Sequence, residues 1–382
     1  MRGWFAALAL ALFALLFGAR SLWGHYNDEL HIDEDAEVPA EREAAAVRVV
    51  CLAFAAVGLP FAMLLLQQRQ LLYRPEVSGR PRVPQGLRAS PSAWGLQHQS
   101  YFIRSRDGTK LHAWLLGLQT QEEKRRPAVL FFHSNAGDIS QRLDLFKHVC
   151  RNLDVVILAM EYRGYGRSDN GGGCSEPSFV EDAAAAYEWL VKYAASENSV
   201  VDPTRIFVFG RSLGGCVTVR LVAHLLGASP EQRQPQGAAE VPKMPLPAGI
   251  IVENAPSSIA FVARHLLPPL RWLPASLFSW PLLLDEWRSQ DWLDWIGSGL
   301  AEAEKPRARL GLCLISAGKD QVVPPACMAE LRCTAEKHSA ALDTRFHYFP
   351  RGEHMNTYLL ATAYWEPLRD FIYRPLVHAD KA

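Results

Sequence analysis

The chain has 382 residues, of which 49% are hydrophobic and 21% are charged, enough for one large core or for two smaller domains. Forty basic and forty acidic side chains cancel, so no positive field indicates nucleic acid as a partner. Seven cysteines, none in a CxxC or CxxH pair, argue against a disulfide framework and against a zinc site built on cysteine.

Two apolar runs occur near the amino terminus. Residues 3–19 form the first, and residues 49–66 form a second run without charges that Pro60 interrupts. A bilayer core takes about 20 apolar residues per helix, so the second run nearly meets this length and the first is marginal. The alternative for the first run is a signal peptide. We predict that residues 1–70 anchor the chain in a membrane through one or two transmembrane helices.

The distribution of arginine predicts which side of the membrane the rest of the chain occupies. The loop between the two runs is acidic, whereas several arginines follow the second run, namely Arg69, Arg74, Arg80, Arg82 and Arg88. The positive-inside rule therefore places the long carboxyl-terminal part in the cytosol. If the second run acts alone as a signal anchor, that part is lumenal, and this alternative stays open.

From about residue 97 the pattern predicts alternating strands and helices. The predicted strands are Gln99–Arg104, Leu111–Leu118, Ala128–His133, Val155–Met160, Arg205–Phe209, Ile250–Val252, Leu310–Ile315 and Phe346–Phe349. The predicted helices are Ile139–Leu153, Phe179–Ala195, Gly214–Leu226, 324–337 and 356–372. The first two strands flank a turn at Asp107 and Gly108, which indicates a hairpin. The other strands alternate with helices of about ten or more residues, which predicts a mostly parallel sheet wound on both faces.

Two segments interrupt this alternation. Residues 228–248 are rich in proline, glutamine and alanine and are predicted to be a surface insertion. Residues 257–300 hold many leucine, tryptophan and proline residues between two predicted strands. We predict that they form a small lid over the carboxyl edge of the sheet, with an ordinary crossover connection as the alternative.

A glycine-serine motif is the strongest chemical signal. Residues 210–215 read Gly-Arg-Ser-Leu-Gly-Gly, directly after the predicted strand Arg205–Phe209 and before a predicted helix. A G-x-S-x-G match alone is weak evidence, because glycine and serine are common. At a sharp turn between a strand and a helix, however, the serine hydroxyl projects above the sheet. We predict that Ser212 is a catalytic nucleophile, with a plain strand-to-helix turn as the alternative.

A serine hydroxyl needs a base that takes its proton, and the base needs a carboxylate that orients it. His354 follows the last predicted strand, in a loop that can reach the end of the sheet. Asp320 lies in the loop after the predicted strand Leu310–Ile315. The order Ser212, Asp320, His354 is the order that a nucleophile of this kind requires. Glu253, at the end of the preceding predicted strand, is the reserve candidate for the acid.

Acyl transfer also needs hydrogen-bond donors for the developing oxyanion. We predict two backbone N–H groups for this role, that of Leu213, directly after the nucleophile, and that of Asn135, in the turn after the first buried strand. The usual pattern at this turn is His-Gly-x-Gly, and the chain has Ser134 at the first glycine.

No motif indicates a cofactor or a metal ion. Gly171–Gly173 lacks the GK[ST] sequence of a phosphate-binding loop and is predicted to be a flexible loop that borders the active site. Cys216, close to the serine motif, is predicted to be a packed thiol.

These motifs together resemble those of the α/β-hydrolase superfamily. The resemblance covers about residues 65–375 and rests on LLYRPEV, HSNAG, EYRGYGRS, FGRSLGG, VENAPSS, GKDQVVP and GEHMN. With a preceding membrane helix, the combination is similar to the branch that includes the fungal bud-emergence proteins. The resemblance implies an α/β-hydrolase domain over residues 71–382 and a serine hydrolase with Ser212, Asp320 and His354 as its triad. It implies no particular substrate.

The leading hypothesis is hydrolysis of an ester or thioester at a membrane surface. An apolar lid near a bilayer favours acyl-containing small molecules, lipids or acylated proteins as substrates. Two alternatives stay open, a serine peptidase of related fold and a catalytically silent membrane scaffold.

Overall fold

The computed structural model describes most of the chain beyond the amino-terminal segment. The described residues are 47–49, 51–52, 63, 65–77, 82–83, 86, 89–118, 124–237, 244–266, 279, 282–302, 309–361 and 363–374. The apolar run at 3–19 lies outside them, as does most of the run at 49–66. Among the described residues, no helix combines the length and the apolar character needed to cross a membrane.

Eight strands form one sheet in the order β1-β2-β4-β3-β5-β6-β7-β8. The strands are β1 Gln97–Arg104, β2 Lys110–Gly117, β3 Arg126–Phe132, β4 Val156–Met160, β5 Val201–Arg211, β6 Gly249–Glu253, β7 Leu310–Ala317 and β8 Leu342–Phe349. The β1–β2 and β2–β4 pairs are antiparallel, and all other neighbouring strands are parallel. The predicted hairpin and the predicted, mostly parallel sheet are therefore confirmed.

The central strands are mainly apolar because both faces of the sheet are covered. Every residue of β4, β6 and β7 is buried, and so is every residue of β3 after Arg126. A parallel sheet between two layers of helices has no solvent face, so its strands show no alternation of polar and apolar residues. Two apolar clusters result, one on each face of the sheet.

Residues 65–72, which precede the sheet, are helical, and further α-helices lie between the strands and after them. The further helices are α1 Leu143–Leu153, α2 Glu176–Ala194, α3 Leu213–Leu225, α4 Ile259–Leu266, α5 Ser289–Ala301, α6 Pro325–Lys337, α7 Thr357–Leu360 and α8 Trp365–Tyr373. The helix predicted at 356–372 is two helices, because Ala361 adopts an extended conformation between α7 and α8.

The segment between β6 and β7, predicted as a lid, contains two helices of different character. None of the side chains of α4 is buried, whereas α5 buries Trp292, Leu293 and Ile296 in the apolar core. Most of the stretch between α4 and α5, and part of the predicted insertion at 228–248, lie outside the described residues. The lid assignment stays a prediction.

The chain divides into two compact units. One comprises the described residues of Met1–Gln68 and Pro281–Leu284, where the Gln68 side chain donates to the Leu282 carbonyl and accepts from the Leu284 N–H. The other comprises the described residues of Arg69–Trp280 and Asp285–Ala382, and it holds the whole sheet.

A buried ion pair ties α2, α3 and α5 together on one face of the sheet. Arg220 Nε lies 3.2 Å from Glu176 Oε1, and the Arg220 guanidinium lies 4.0 Å from the centre of the Trp292 ring. Burial raises the pKa of Glu176 and lowers that of Arg220, while the charge of each side chain favours the ionised form of the other. The Glu176 carboxylate also accepts hydrogen bonds from the Glu286 and Trp287 N–H groups, 3.0 and 2.8 Å away. One carboxylate therefore holds the chain where it enters α5.

We expect Glu176→Gln to lower the free energy of unfolding by about 3–5 kcal/mol, because it leaves the Arg220 charge buried without its counter-ion. Glu188→Gln is the matched control on the same helix, since Glu188 pairs with Lys192 at the exposed surface. Its expected effect is below about 1 kcal/mol. Urea unfolding followed by tryptophan fluorescence measures both values. Equal effects of the two substitutions would show that the buried pair does not hold these helices.

Candidate active site

Ser212 lies at the turn between β5 and α3 in a conformation that is rare for a residue with a side chain. Its φ is 56° and its ψ is −124°. Its N–H donates to the Glu253 carbonyl at 2.8 Å, and its carbonyl accepts from the Gly215 N–H at 2.9 Å. Strained backbone of this kind persists only where the surrounding structure enforces it, and it concentrates at functional sites.

The glycines of the motif are required by close backbone contacts. A Cβ atom on Gly210 would overlap the Gly214 carbonyl, and one on Gly214 would overlap the Phe132 carbonyl of β3. A Cβ atom on Gly215 would lie 2.5 Å from that of Ala255, in the loop after β6. The turn at Ser212 can therefore be this tight only because these positions have no side chain.

The structure brings Ser212, His354 and Asp320 together in one chain of hydrogen bonds. His354 Nε2 lies 3.0 Å from Ser212 Oγ, and His354 Nδ1 lies 2.7 Å from Asp320 Oδ2. The other carboxylate oxygen, Asp320 Oδ1, accepts from the N–H groups of Val322 and Val323, both at 2.8 Å. The Asp320 side chain is only 1% exposed, so these donors replace the water that its charge would otherwise bind.

Three further reactive side chains do not take part in this chain of hydrogen bonds. Glu253 forms an ion pair with Arg211, with Glu253 Oε2 2.8 Å from Arg211 Nε, and does not bond to His354. His133 is fully buried, and burial lowers its pKa to about 3, so it stays neutral near neutral pH. Burial raises the pKa of the Cys216 thiol to about 12, so this cysteine is protonated and a poor nucleophile.

The turn that carries Asn135 is fixed by the segment at residues 72–74. The Asn135 carbonyl accepts from the Arg74 N–H at 3.0 Å and from the Tyr165 hydroxyl at 2.7 Å. The Asn135 side-chain amide donates to the Leu72 carbonyl at 2.9 Å. In the part of the chain that the structure describes, no protein group accepts from the N–H of Asn135 or of Leu213. Their role as oxyanion donors stays a prediction.

Ser134 occupies the position where the usual pattern has glycine. Its side chain is buried, and its hydroxyl lies 3.6 Å from the sulfur of Met355, the residue after His354. The serine therefore contacts the loop between β8 and α7 that carries His354 (residues 350–356, the histidine loop). Glycine at this position would lack that contact.

Two polar side chains that the sequence did not single out as functional also contact the histidine loop. Asn254 donates to the His354 carbonyl at 3.1 Å, and Arg211 donates to the Met355 carbonyl at 2.9 Å. Both directly adjoin recognised features, since Arg211 precedes Ser212 and Asn254 directly follows the strand β6. Their position at strand ends beside the serine motif was the available signal.

A cavity of about 610 Å³ lies beside the entry to α4. Its lining includes Ser257, Ser258, Ala260, Phe261, Arg264 and Gln290. The loop that leads from β6 into this cavity contacts the first turn of α3, where the Cys216 thiol lies 3.6 Å from the Pro256 carbonyl. Ser257, which lines the cavity, therefore directly follows a residue in contact with α3, the helix that begins after Ser212.

A second serine, histidine and carboxylate chain occurs on the antiparallel edge of the sheet. Ser100 Oγ lies 2.9 Å from His112 Nε2, and His112 Nδ1 lies 2.8 Å from Glu161 Oε2. Ser100 is in the middle of the regular strand β1, without the strained turn and the helix start that accompany Ser212. It provides an internal comparison for the reactivity of Ser212.

Comparisons with known proteins agree with this architecture. A profile of the family described as alpha/beta hydrolase fold matches residues 129–252. The chain is 30% identical over 318 residues to alpha/beta hydrolase domain-containing protein WAV2 of Arabidopsis thaliana, a match that covers 81% of this chain and 89% of that protein. It is 29% identical over 294 residues to protein bem46 of Schizosaccharomyces pombe, which covers 76% and 82% of the two chains. A protein of Saccharomyces cerevisiae named as an uncharacterized membrane protein is 27% identical over 315 residues, which covers 81% and 90%. The resemblance stated from the motifs is therefore confirmed, and the chain belongs to the α/β-hydrolase family.

Proposed function

We propose that the protein is a membrane-anchored serine hydrolase that cleaves carboxylic ester or thioester bonds of lipids or acylated proteins. The observation that carries the proposal is the hydrogen-bonded chain from Ser212 through His354 to Asp320, with Ser212 at a strained turn. A hydroxyl, an imidazole and a carboxylate from three loops of the chain each lie within hydrogen-bond distance of the next. Nucleophilic catalysis by serine requires this arrangement of nucleophile, base and acid.

In the proposed reaction, Ser212 Oγ attacks the carbonyl carbon of the substrate while His354 Nε2 takes the hydroxyl proton. The resulting oxyanion accepts hydrogen bonds from the N–H groups of Leu213 and Asn135. His354 then returns the proton to the departing alcohol or thiol, which leaves an acyl group on Ser212. Water, deprotonated by His354, attacks this acyl group, the bond to Ser212 Oγ breaks as His354 returns the proton to that oxygen, and the carboxylic acid is released. Asp320 orients the imidazole and stabilises its protonated form.

The cavity near α4 favours the hypothesis that the substrate has an acyl chain, which the cavity could hold apart from the reacting bond. Its volume of about 610 Å³ is typical of sites for small organic ligands. The side chains of α4, which include Phe261 and Val262, are not buried by the protein itself. A bound acyl chain would cover them and gain the free energy of apolar burial.

The anchoring part of the proposal rests on the apolar runs 3–19 and 49–66. Five arginines follow the second run, which favours a cytosolic hydrolase domain. The relative from Saccharomyces cerevisiae that is named as a membrane protein supports a membrane location. An anchored enzyme meets substrates that are themselves held at the bilayer, which agrees with lipids and acylated proteins as the substrate class.

We expect a fluorophosphonate reagent to label the wild-type protein and to leave Ser212→Ala unlabelled, because the hydroxyl that it phosphonylates is gone. Ser100→Ala and Cys216→Ala are the matched controls and should be labelled like the wild type. In-gel fluorescence after a short exposure measures the labelling. Equal labelling of Ser212→Ala and the wild type would contradict the assignment of the nucleophile.

A panel of acyl esters, acyl thioesters and peptide amides distinguishes the substrate classes. We expect ester and thioester hydrolysis that depends on Ser212. Ala260→Trp should lower kcat/KM for a dodecanoyl ester by about tenfold or more, because the indole fills the cavity that receives the chain, and should change acetyl ester hydrolysis little. Ala195→Trp, at the exposed end of α2, is the control for the added indole. Preferential cleavage of the amides would favour a peptidase.

Membrane topology is tested in sealed microsomes from cells that express the full chain. We expect the protein to resist alkaline carbonate extraction and its carboxyl-terminal domain to be digested by added protease. Arginine at both Ala55 and Val57 should release the chain into the extract if the second run is its anchor, because each charge in a bilayer costs about 2.5–3.5 kcal/mol. Leucine at the same two positions is the control. Protection of the domain from protease would instead place it in the lumen.

A further inference from the structure

Two buried side chains hold consecutive carbonyl groups of the loop that carries His354. The Asn254 side-chain amide donates to the carbonyl of His354 itself, at 3.1 Å. Arg211 Nη1 donates to the next carbonyl, that of Met355, at 2.9 Å. Arg211 is the last residue of β5 and Asn254 directly follows β6, so the loop is bound at the strand ends that also fix Ser212.

Asn254 has little freedom to move. Its φ is 48°, a conformation that asparagine tolerates better than most residues. Its N–H donates to the Ile315 carbonyl at 3.0 Å, and its Oδ1 accepts from the Ala317 N–H at 2.8 Å, so both groups are bound to β7. Because Asn254 Oδ1 is bound to β7, Nδ2 on the other side of the amide is directed towards the His354 carbonyl.

Arg211 is held with similar rigidity by its counter-ion. The side chains of Arg211 and Glu253 are 2% and 0% exposed, and the two residues lie opposite each other in the β5–β6 pair. Glu253 Oε2 lies 2.8 Å from Arg211 Nε and also accepts from the Tyr364 hydroxyl at 3.1 Å. Burial disfavours the charge of Arg211, but the Glu253 carboxylate outweighs this and raises the Arg211 pKa.

A buried ion pair of this kind contributes little net stability compared with apolar side chains of the same size. Its effect here is to fix the direction of the Arg211 guanidinium, so that Nη1 donates to the histidine loop. Other hydrogen bonds to this loop come from the Lys319 N–H to the Gly352 carbonyl and from the Thr357 hydroxyl to the Glu353 carbonyl, both at 2.8 Å. The contacts from Asn254 and Arg211 differ from these because they hold the backbone of His354 itself and of the residue after it.

We infer that Arg211 and Asn254 are positioning residues that set the His354 imidazole in line between Ser212 and Asp320 by binding the carbonyls of residues 354 and 355. The inference rests on the proposed serine hydrolase function. Neither residue touches the reacting atoms. Their effect is geometric, and a displacement of about 1 Å in a catalytic group costs about 100-fold in rate.

Asn254→Asp is the sharpest test of this role. Aspartate keeps the shape, the tolerance of positive φ and the acceptor for the Ala317 N–H, but it replaces the donor to His354 with an oxygen. We expect kcat for a short acyl ester, per active site titrated with fluorophosphonate, to fall about 10- to 100-fold while KM changes less than about threefold. Asp154→Asn is the matched control, an equally small exchange at a residue with a φ of 48° at the end of α1.

A second variant removes the other contact without leaving a buried charge alone. Arg211→Met together with Glu253→Gln keeps the volume and neutralises both partners, and the same fall in kcat is expected. The pH profile separates positioning from partial unfolding. A misplaced imidazole shifts the apparent pKa of kcat/KM, whereas a smaller folded fraction lowers the whole profile without shifting it.

The possible failures are distinguishable. If the wild-type activity does not depend on Ser212, the proposed function is wrong. If the wild type depends on Ser212 but both variants keep wild-type kcat per titrated site and an unshifted pH profile, the positioning role is wrong and the proposed function stands.

Discussion

The close approach of backbone at the turn between β5 and α3 is the constraint on which the rest of the site depends. Ser212 keeps its positive φ because its N–H is bound to the Glu253 carbonyl and because Gly210 and Gly214 leave room for neighbouring carbonyls. Relaxation of this turn would move the serine hydroxyl away from His354. The strain at one residue is therefore balanced by contacts from β3, β6 and α3, which no single element could supply.

The polar groups buried around this turn hold elements in place more than they add stability. Glu253 is an example. Its carbonyl accepts from the Ser212 N–H, and its carboxylate holds Arg211 in the direction of the histidine loop. Glu176 acts similarly on the other side of α3, where it binds Arg220 and the start of α5. Buried ion pairs contribute little net free energy, so their value here is a defined geometry.

Much of the sheet could be predicted from sequence because each central strand contains a short apolar run. The start of β5 was missed, since Pro203 lacks an N–H and its neighbours are polar, yet pairing with β3 extends the strand back to Val201. The break at Ala361 was missed as well, because an apolar helical pattern continues through it. Local patterns report periodicity, and they do not report where tertiary contacts interrupt or extend an element.

The candidate site likewise contains residues that the sequence predicts and contacts that only the folded structure reveals. Ser212, Asp320 and His354 could be predicted because each follows a strand and their order is characteristic, and the structure places them within hydrogen-bond distance. Glu253 was weighed as an acid for His354, and only the register between β5 and β6 reveals that it faces Arg211. The contacts of Arg211 and Asn254 with carbonyls 144 and 100 residues away follow from packing, so no local motif encodes them.

The most direct measurement of the central claim is mass spectrometry of the protein quenched during turnover of an activated acyl ester. A covalent acyl-enzyme predicts a transient mass increase equal to one acyl group, located by peptide fragmentation on Ser212, which accumulates within the first turnover and decays when substrate is exhausted. Turnover without any acylated peptide, or with the acyl group on another residue, would contradict the account.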